Sequence, residues 1–146
     1  MHLEEKLDLL KKELYPNDLV IRFNEFKSIL KKIDSMFLGE QDFNYPNANW
    51  RDRLKGFEES ELKINQLDFL ESRLNKGQKY WWVFLDQPEF EGSRHRIFDG
   101  TFKGGKHLSY LFHDSPIFVI EKKYDWMIMI DETTGIIKEK RTHNSV

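Results

Sequence analysis

Glu121 and Lys123 stand two residues apart on what reads as the end of a strand, so their side chains share one face. A carboxylate and a lysine so placed are the pair with which a metal-dependent nuclease of the (Asp/Glu)-x-Lys kind holds a divalent cation and orients water. Asp99 or Asp86 would supply the missing ligand. The Pro-Asp that marks such sites is absent, however, and Glu-x-Lys arises readily on charged strand ends. A second segment, Gly100-Thr101-Phe102-Lys103-Gly104-Gly105-Lys106, sets glycines and lysines ahead of a helix, as phosphate-cradling loops do. It departs from Gly-x-x-x-x-Gly-Lys-Ser/Thr at the last position, because His107 follows Lys106. The five histidines, His2, His95, His107, His113 and His143, form no i, i+4 pair and no His-Glu-x-x-His. The residues therefore predict neither an enzyme nor a bound cofactor or metal.

Acidic clustering points instead to binding. Glu58, Glu59, Glu61, Asp68 and Glu71 are opposed only by Lys63 within their window, and Asp86, Glu89, Glu91 and Asp99 surround Arg94-His95-Arg96. Such runs ordinarily form a solvated face. They also suit docking to a basic partner, since complementary charge speeds encounter while aromatic neighbours supply anchoring area. Trp81 and Trp82 must point to opposite faces of one strand, so one of them is covered by other chain, such as the loop at 40–50, or used.

These residues sit in a chain of 146 amino acids with net charge −2, 39% hydrophobic and 33% charged residues, and no cysteine. That length suits one domain spanning 1–146. No apolar run reaches the ~20 residues needed to cross a bilayer, and the acidic start Met1-His2-Leu3-Glu4-Glu5-Lys6 lacks the apolar core of a signal peptide. A cytoplasmic protein is expected, consistent with the absence of cysteine. The slightly acidic balance argues against a general affinity for nucleic acid.

The elements follow from periodicity. Leu3, Leu7, Leu10 and Leu14 predict a helix over 3–14, stopped by Tyr15-Pro16-Asn17-Asp18. Leu19, Phe23, Phe26, Leu30, Ile33 and Phe37 predict a second over 18–37, capped by Asn17 or Asp18. A third, over 65–75, starts at an Asn65/Asp68 capping box with an Ile64/Phe69 staple, or more than a turn earlier with Ser60 as its cap, and stops near Gly77. Strands are expected at 79–86, 95–102, 117–123, 126–131 and 135–140, with a short helix over 105–113. The tight links Lys122–Asp125 and Asp131–Gly135 permit only antiparallel neighbours. The expected fold is α+β, with a helical part at 1–77 packed on one face of a mainly antiparallel sheet of four to five strands at 78–141. Leu7, Leu10, Phe23, Phe26, Leu30, Leu67, Leu70, Val83, Leu85, Val119, Ile128 and Ile130 are the expected core.

The run Phe118-Val119-Ile120-Glu121-Lys122-Lys123-Tyr124-Asp125-Trp126-Met127-Ile128-Met129-Ile130-Asp131, with Phe98-Asp99-Gly100 and Tyr80-Trp81-Trp82-Val83 upstream, resembles small bacterial cytoplasmic immunity proteins of LXG-type polymorphic toxin systems. The resemblance covers about residues 79–140 and carries over no site residue. It implies an antitoxin that binds and neutralises the toxic domain of a cognate secreted toxin, often a nuclease. The partner would then be a protein, with no direct nucleic acid and no membrane. The candidate partner-binding residues are Asp86, Glu89, Glu91 and Asp99, with Glu58, Glu59 and Glu61 as a second rim. Two alternatives stand beside it: a small nuclease using Glu121 and Lys123, and a non-catalytic regulatory interaction module.

Overall fold

The computed structural model describes residues 3–20, 26–38, 54, 56–85, 95–112 and 115–142. In chain order the elements are α1 (Leu3–Leu14), β1 (Leu19–Val20), α2 (Phe26–Ile33) running into a π-helical turn (Asp34–Leu38), β2 (Glu58–Glu61), α3 (Gln66–Arg73), β3 (Tyr80–Leu85), β4 (His95–Gly100), α4 (Phe102–Leu111), β5 (Ile117–Glu121), β6 (Trp126–Asp131) and β7 (Ile136–Arg141). The fold is α+β. All seven strands join one sheet in the order β1-β4-β3-β5-β6-β7-β2, and every neighbouring pair is antiparallel.

The five expected strands are present within two residues of their expected ends, and two more extend the sheet. β1 lies where a helix over 18–37 was expected. Leu19 carries the helical spacing of that stretch, yet it is fully buried in a two-residue strand paired with Gly100 and Asp99. Asp18, expected as a helix cap, instead accepts the Thr101 hydroxyl at 2.9 Å. β2 arises from the acidic run, whose backbone pairs with β7 from Glu58↔Glu139 to Glu61↔Ile136.

Strand alternation sorts the buried side chains into two clusters. The first joins Tyr80, Trp82, Phe84, Phe98, Val119, Ile128, Ile130 and Ile137 with Leu7, Leu14, Leu70, Leu74 and Leu108 of the helical segments. The second joins Val83, Ile97, Phe118, Ile120, Met127 and Met129 with Leu30, Ile33 and Phe37. Each alternating set of strand side chains thus clusters with helical residues. The reason is the strands themselves: β5 is buried at all five positions, so both of its sides need apolar partners. Of the expected core, Leu7, Leu30, Leu70, Val83, Val119, Ile128 and Ile130 are buried, while Leu10 and Leu67 are partly covered. Phe23 and the side chains of Phe26 and Leu85 lie outside the described residues.

Local signals explain the helix ends. Asn65 caps α3 by accepting from the Asp68 N–H at 2.8 Å, as its spacing predicts, whereas Ser60, the alternative cap, lies in β2, and Ile64, expected to staple to Phe69, is 51% exposed. Gly77 and Gly135 adopt positive φ of 89° and 70° in the turns assigned to them, a region open to glycine because it lacks a Cβ. α4 begins three residues before its expected start. Thr101 is its N-cap, and Gly104 and Gly105 lie inside the helix because neighbouring chain comes close: a Cβ on Gly104 would sit 2.1 Å from the Asp18 carbonyl oxygen, and one on Gly105 would sit 2.3 Å from the Trp82 ring.

Candidate functional site

Glu121 ends β5 and has a structural task. One carboxylate oxygen, Oε1, accepts from the Lys123 N–H at 2.7 Å and from the Asp125 N–H at 3.3 Å, closing the tight link in which Tyr124 takes a φ of 61°. A carboxylate that accepts local amides commonly stabilises a turn. Its strand therefore stops at Glu121 and not at 123. Lys123 is exposed, and it is Lys122 that pairs with Asp99, at 2.7 Å. Among the described residues no group of three His, Asp or Glu side chains could hold a metal ion. Asp86, the other ligand considered for a nuclease, lies outside them. Glu121→Ala is expected to cost about 1–3 kcal/mol, because two turn amides lose their acceptor; urea unfolding checks this.

Trp81 is covered from within the molecule. The Lys122 ammonium stands 3.9 Å from its ring centroid while holding Asp99, so cation, indole and carboxylate form one contact, with the cation drawn to the negative face of the ring. Lys32 lies 4.7 Å from the Tyr124 ring centroid beside it. Burial raises the Tyr124 phenol above its ordinary pKa, partly opposed by the Trp81 side chain.

The glycine and lysine segment borders a cleft of about 320 Å³ lined by Asp18, Glu71, Lys76, Gly77, Thr101, Phe102, Lys103 and Lys106. A phosphate would meet the start of α4 there. That position already has a carboxylate. Asp18 accepts from the Thr101 hydroxyl and lies 4.0 Å from the Lys103 ammonium, so the helix start is served by an anion from within the chain.

The acidic residues separate in space. Asp86, Glu89 and Glu91 lie outside the described residues. Asp99 is on β4 and Glu58, Glu59 and Glu61 are on β2, with β3, β5, β6 and β7 lying between them in the sheet. Asp99 is also neutralised by Lys122 and its side chain is only 18% exposed. The β2 acids differ: all four residues of that strand are exposed.

No family model, curated protein or solved structure matches this chain. Its site is therefore read from its own geometry.

The register of β2 resolves that geometry further. The Leu62 N–H donates to the Gly135 carbonyl just beyond the paired residues. In an antiparallel ladder that bond fixes which pairs exchange hydrogen bonds. Counting along the ladder, Ser60↔Ile137 and Glu58↔Glu139 direct their backbone groups at β7, whereas Glu59 and Glu61 direct theirs away from it. Side chains alternate too. Glu58 and Ser60 share the side of Ile137, while Glu59 and Glu61 share that of Lys138, whose ammonium faces the Glu59 carboxylate. β2 is thus an exposed sheet edge with two outward backbone positions, both bearing glutamate. Sequence reasoning singled out these acids but missed the strand beneath them, for glutamate disfavours strands and the four-residue run has no apolar alternation.

Proposed function

We propose that this protein acts by binding, as an immunity protein that engages and neutralises the toxic domain of a cognate secreted bacterial toxin. The observation carrying a binding role is the exposed acidic edge at Glu58–Glu61, and the resemblance over residues 79–140 supplies the class of partner. A nuclease domain must be basic around its substrate site to hold phosphates, so an acidic surface is a fitting blocker. The nuclease reading of this chain is weaker, since Glu121 serves a turn and Asp99 is held by Lys122. Asp86, Glu89 and Glu91 remain, with Asp99, candidates for the proposed acidic surface. A cytoplasmic site of action belongs to the same reading; no described helix is long and apolar enough to cross a membrane.

The test is co-expression with the product of the adjoining upstream gene, scored by rescue of growth and by co-purification. Rescue with a recovered complex is expected. Glu121→Gln and Lys123→Ala should each protect as well as the native chain, because neither takes part in a reaction. Loss of a metal-dependent cleavage activity in both variants, with folding unchanged, would establish the nuclease instead.

A further inference from the structure

We infer that β2 receives an added strand: a basic, extended segment of the partner pairs with the outward backbone groups of Glu59 and Glu61. This inference rests on the binding role proposed above and specifies its mode. Added strands draw affinity from main-chain hydrogen bonds and specificity from alternate side chains. Both requirements meet at this edge. Glu59 and Glu61 point N–H and C=O away from β7, and the two residues are separated by one position, the repeat an incoming strand needs. All four residues of β2 are exposed, and among the described residues this strand pairs with β7 alone. The opposite edge is built differently: β1 has two residues, with Leu19 fully buried.

Charge selects the occupant. Edge strands are commonly protected from one another by charge, and several glutamates on one short strand oppose pairing with a second copy of this chain. The same glutamates favour a strand with lysine or arginine at alternate positions. Glu59 is only loosely engaged, 3.8 Å from Lys138, and Glu61 is exposed, so both carboxylates can meet incoming cations. One set of residues thus disfavours self-association and attracts a basic strand.

The probe is a capped seven-residue peptide alternating lysine and valine, with a glutamate-valine peptide as control. Amide hydrogen exchange at Glu59 and Glu61, followed by NMR in the full chain at low salt, should slow at least tenfold with the lysine peptide and stay unchanged with the control. Glu61→Pro deletes an outward N–H and leaves the ladder bonds to β7 in place, as edge strands tolerate. With its melting temperature near that of the native chain, it should bind the peptide at least tenfold more weakly, while Glu61→Gln keeps the backbone pairing and loses part of the salt dependence. Unchanged exchange at Glu59 and Glu61, undiminished peptide binding by folded Glu61→Pro, or protection of the edge by dimerisation without peptide would each overturn the inference. Full growth rescue by Glu61→Pro would overturn it while leaving the immunity role standing. Failure of the native chain to rescue would instead remove that role, and the exchange result would still decide the edge.

Discussion

Trp82→Ala is expected to be among the most destabilising single changes in this chain, at about 3–5 kcal/mol. The Trp82 side chain is fully buried in the first core cluster, and its indole N–H donates to the Gly100 carbonyl at 2.8 Å. Alanine would leave a cavity between β3 and α4 and remove the indole's bond to that carbonyl, two losses that add. A domain of this size has roughly 5–15 kcal/mol of net stability, so a large part of it would go. Urea unfolding of purified protein measures the loss directly. If the variant cannot be recovered folded, Trp82→Phe, which keeps much of the ring, should cost less and give a measurable midpoint. A Trp82→Ala midpoint equal to that of the native chain would mean that the indole does not anchor the core.

Gly105→Ala is expected to destabilise by about 1–3 kcal/mol, against the ordinary direction of that substitution. Inside an exposed helix, alanine is favoured over glycine by about 1 kcal/mol. Here the added methyl would lie 2.3 Å from Cη2 and Cζ2 of Trp82, and a buried indole held by a hydrogen bond cannot step aside. Either the ring shifts or α4 lifts from β3. The double variant Gly105→Ala/Trp82→Phe should be more stable than the sum of its parts predicts, because the smaller ring makes room. Additive free energies would show that the two residues do not meet. This contact also accounts for the glycine pair that imitates a phosphate loop, since its glycines answer to Asp18 and Trp82.

How far the sequence reveals the molecule depends on how much local pattern each element carries. β3, β5 and β6 are legible because aromatic and β-branched runs suit a strand buried on both sides, and α1 is legible because four leucines mark one stripe. β1 is not legible: two residues have no period, and Leu19 keeps the spacing of a helix while its backbone pairs with Gly100. β2 is hidden for the opposite reason, since its glutamates resist strand formation and only pairing with β7 makes one. The π-helical turn at Asp34–Leu38, which buries Asp34 completely, follows an apolar spacing that a plain helix would share. At the candidate site the residue types Glu58, Glu59 and Glu61 are legible, but which of them turn their backbone outward depends on register with β7, a strand from the far end of the chain. Asp99 illustrates the converse: its charge is evident in the sequence, and its neutralisation by Lys122 comes from the pairing of β3 with both β4 and β5.

Binding without turnover is the central claim, and the titration of protection tests it most directly. The purified protein is added in steps to a fixed amount of the purified toxic domain, and residual toxin activity is followed at concentrations well above the dissociation constant. The account predicts that inhibition rises linearly and saturates at a fixed, near-equimolar ratio, with a complex of that composition recovered by gel filtration. Complete protection by a small fraction of an equivalent, with no complex recovered, would mean that this chain acts catalytically and would contradict the account.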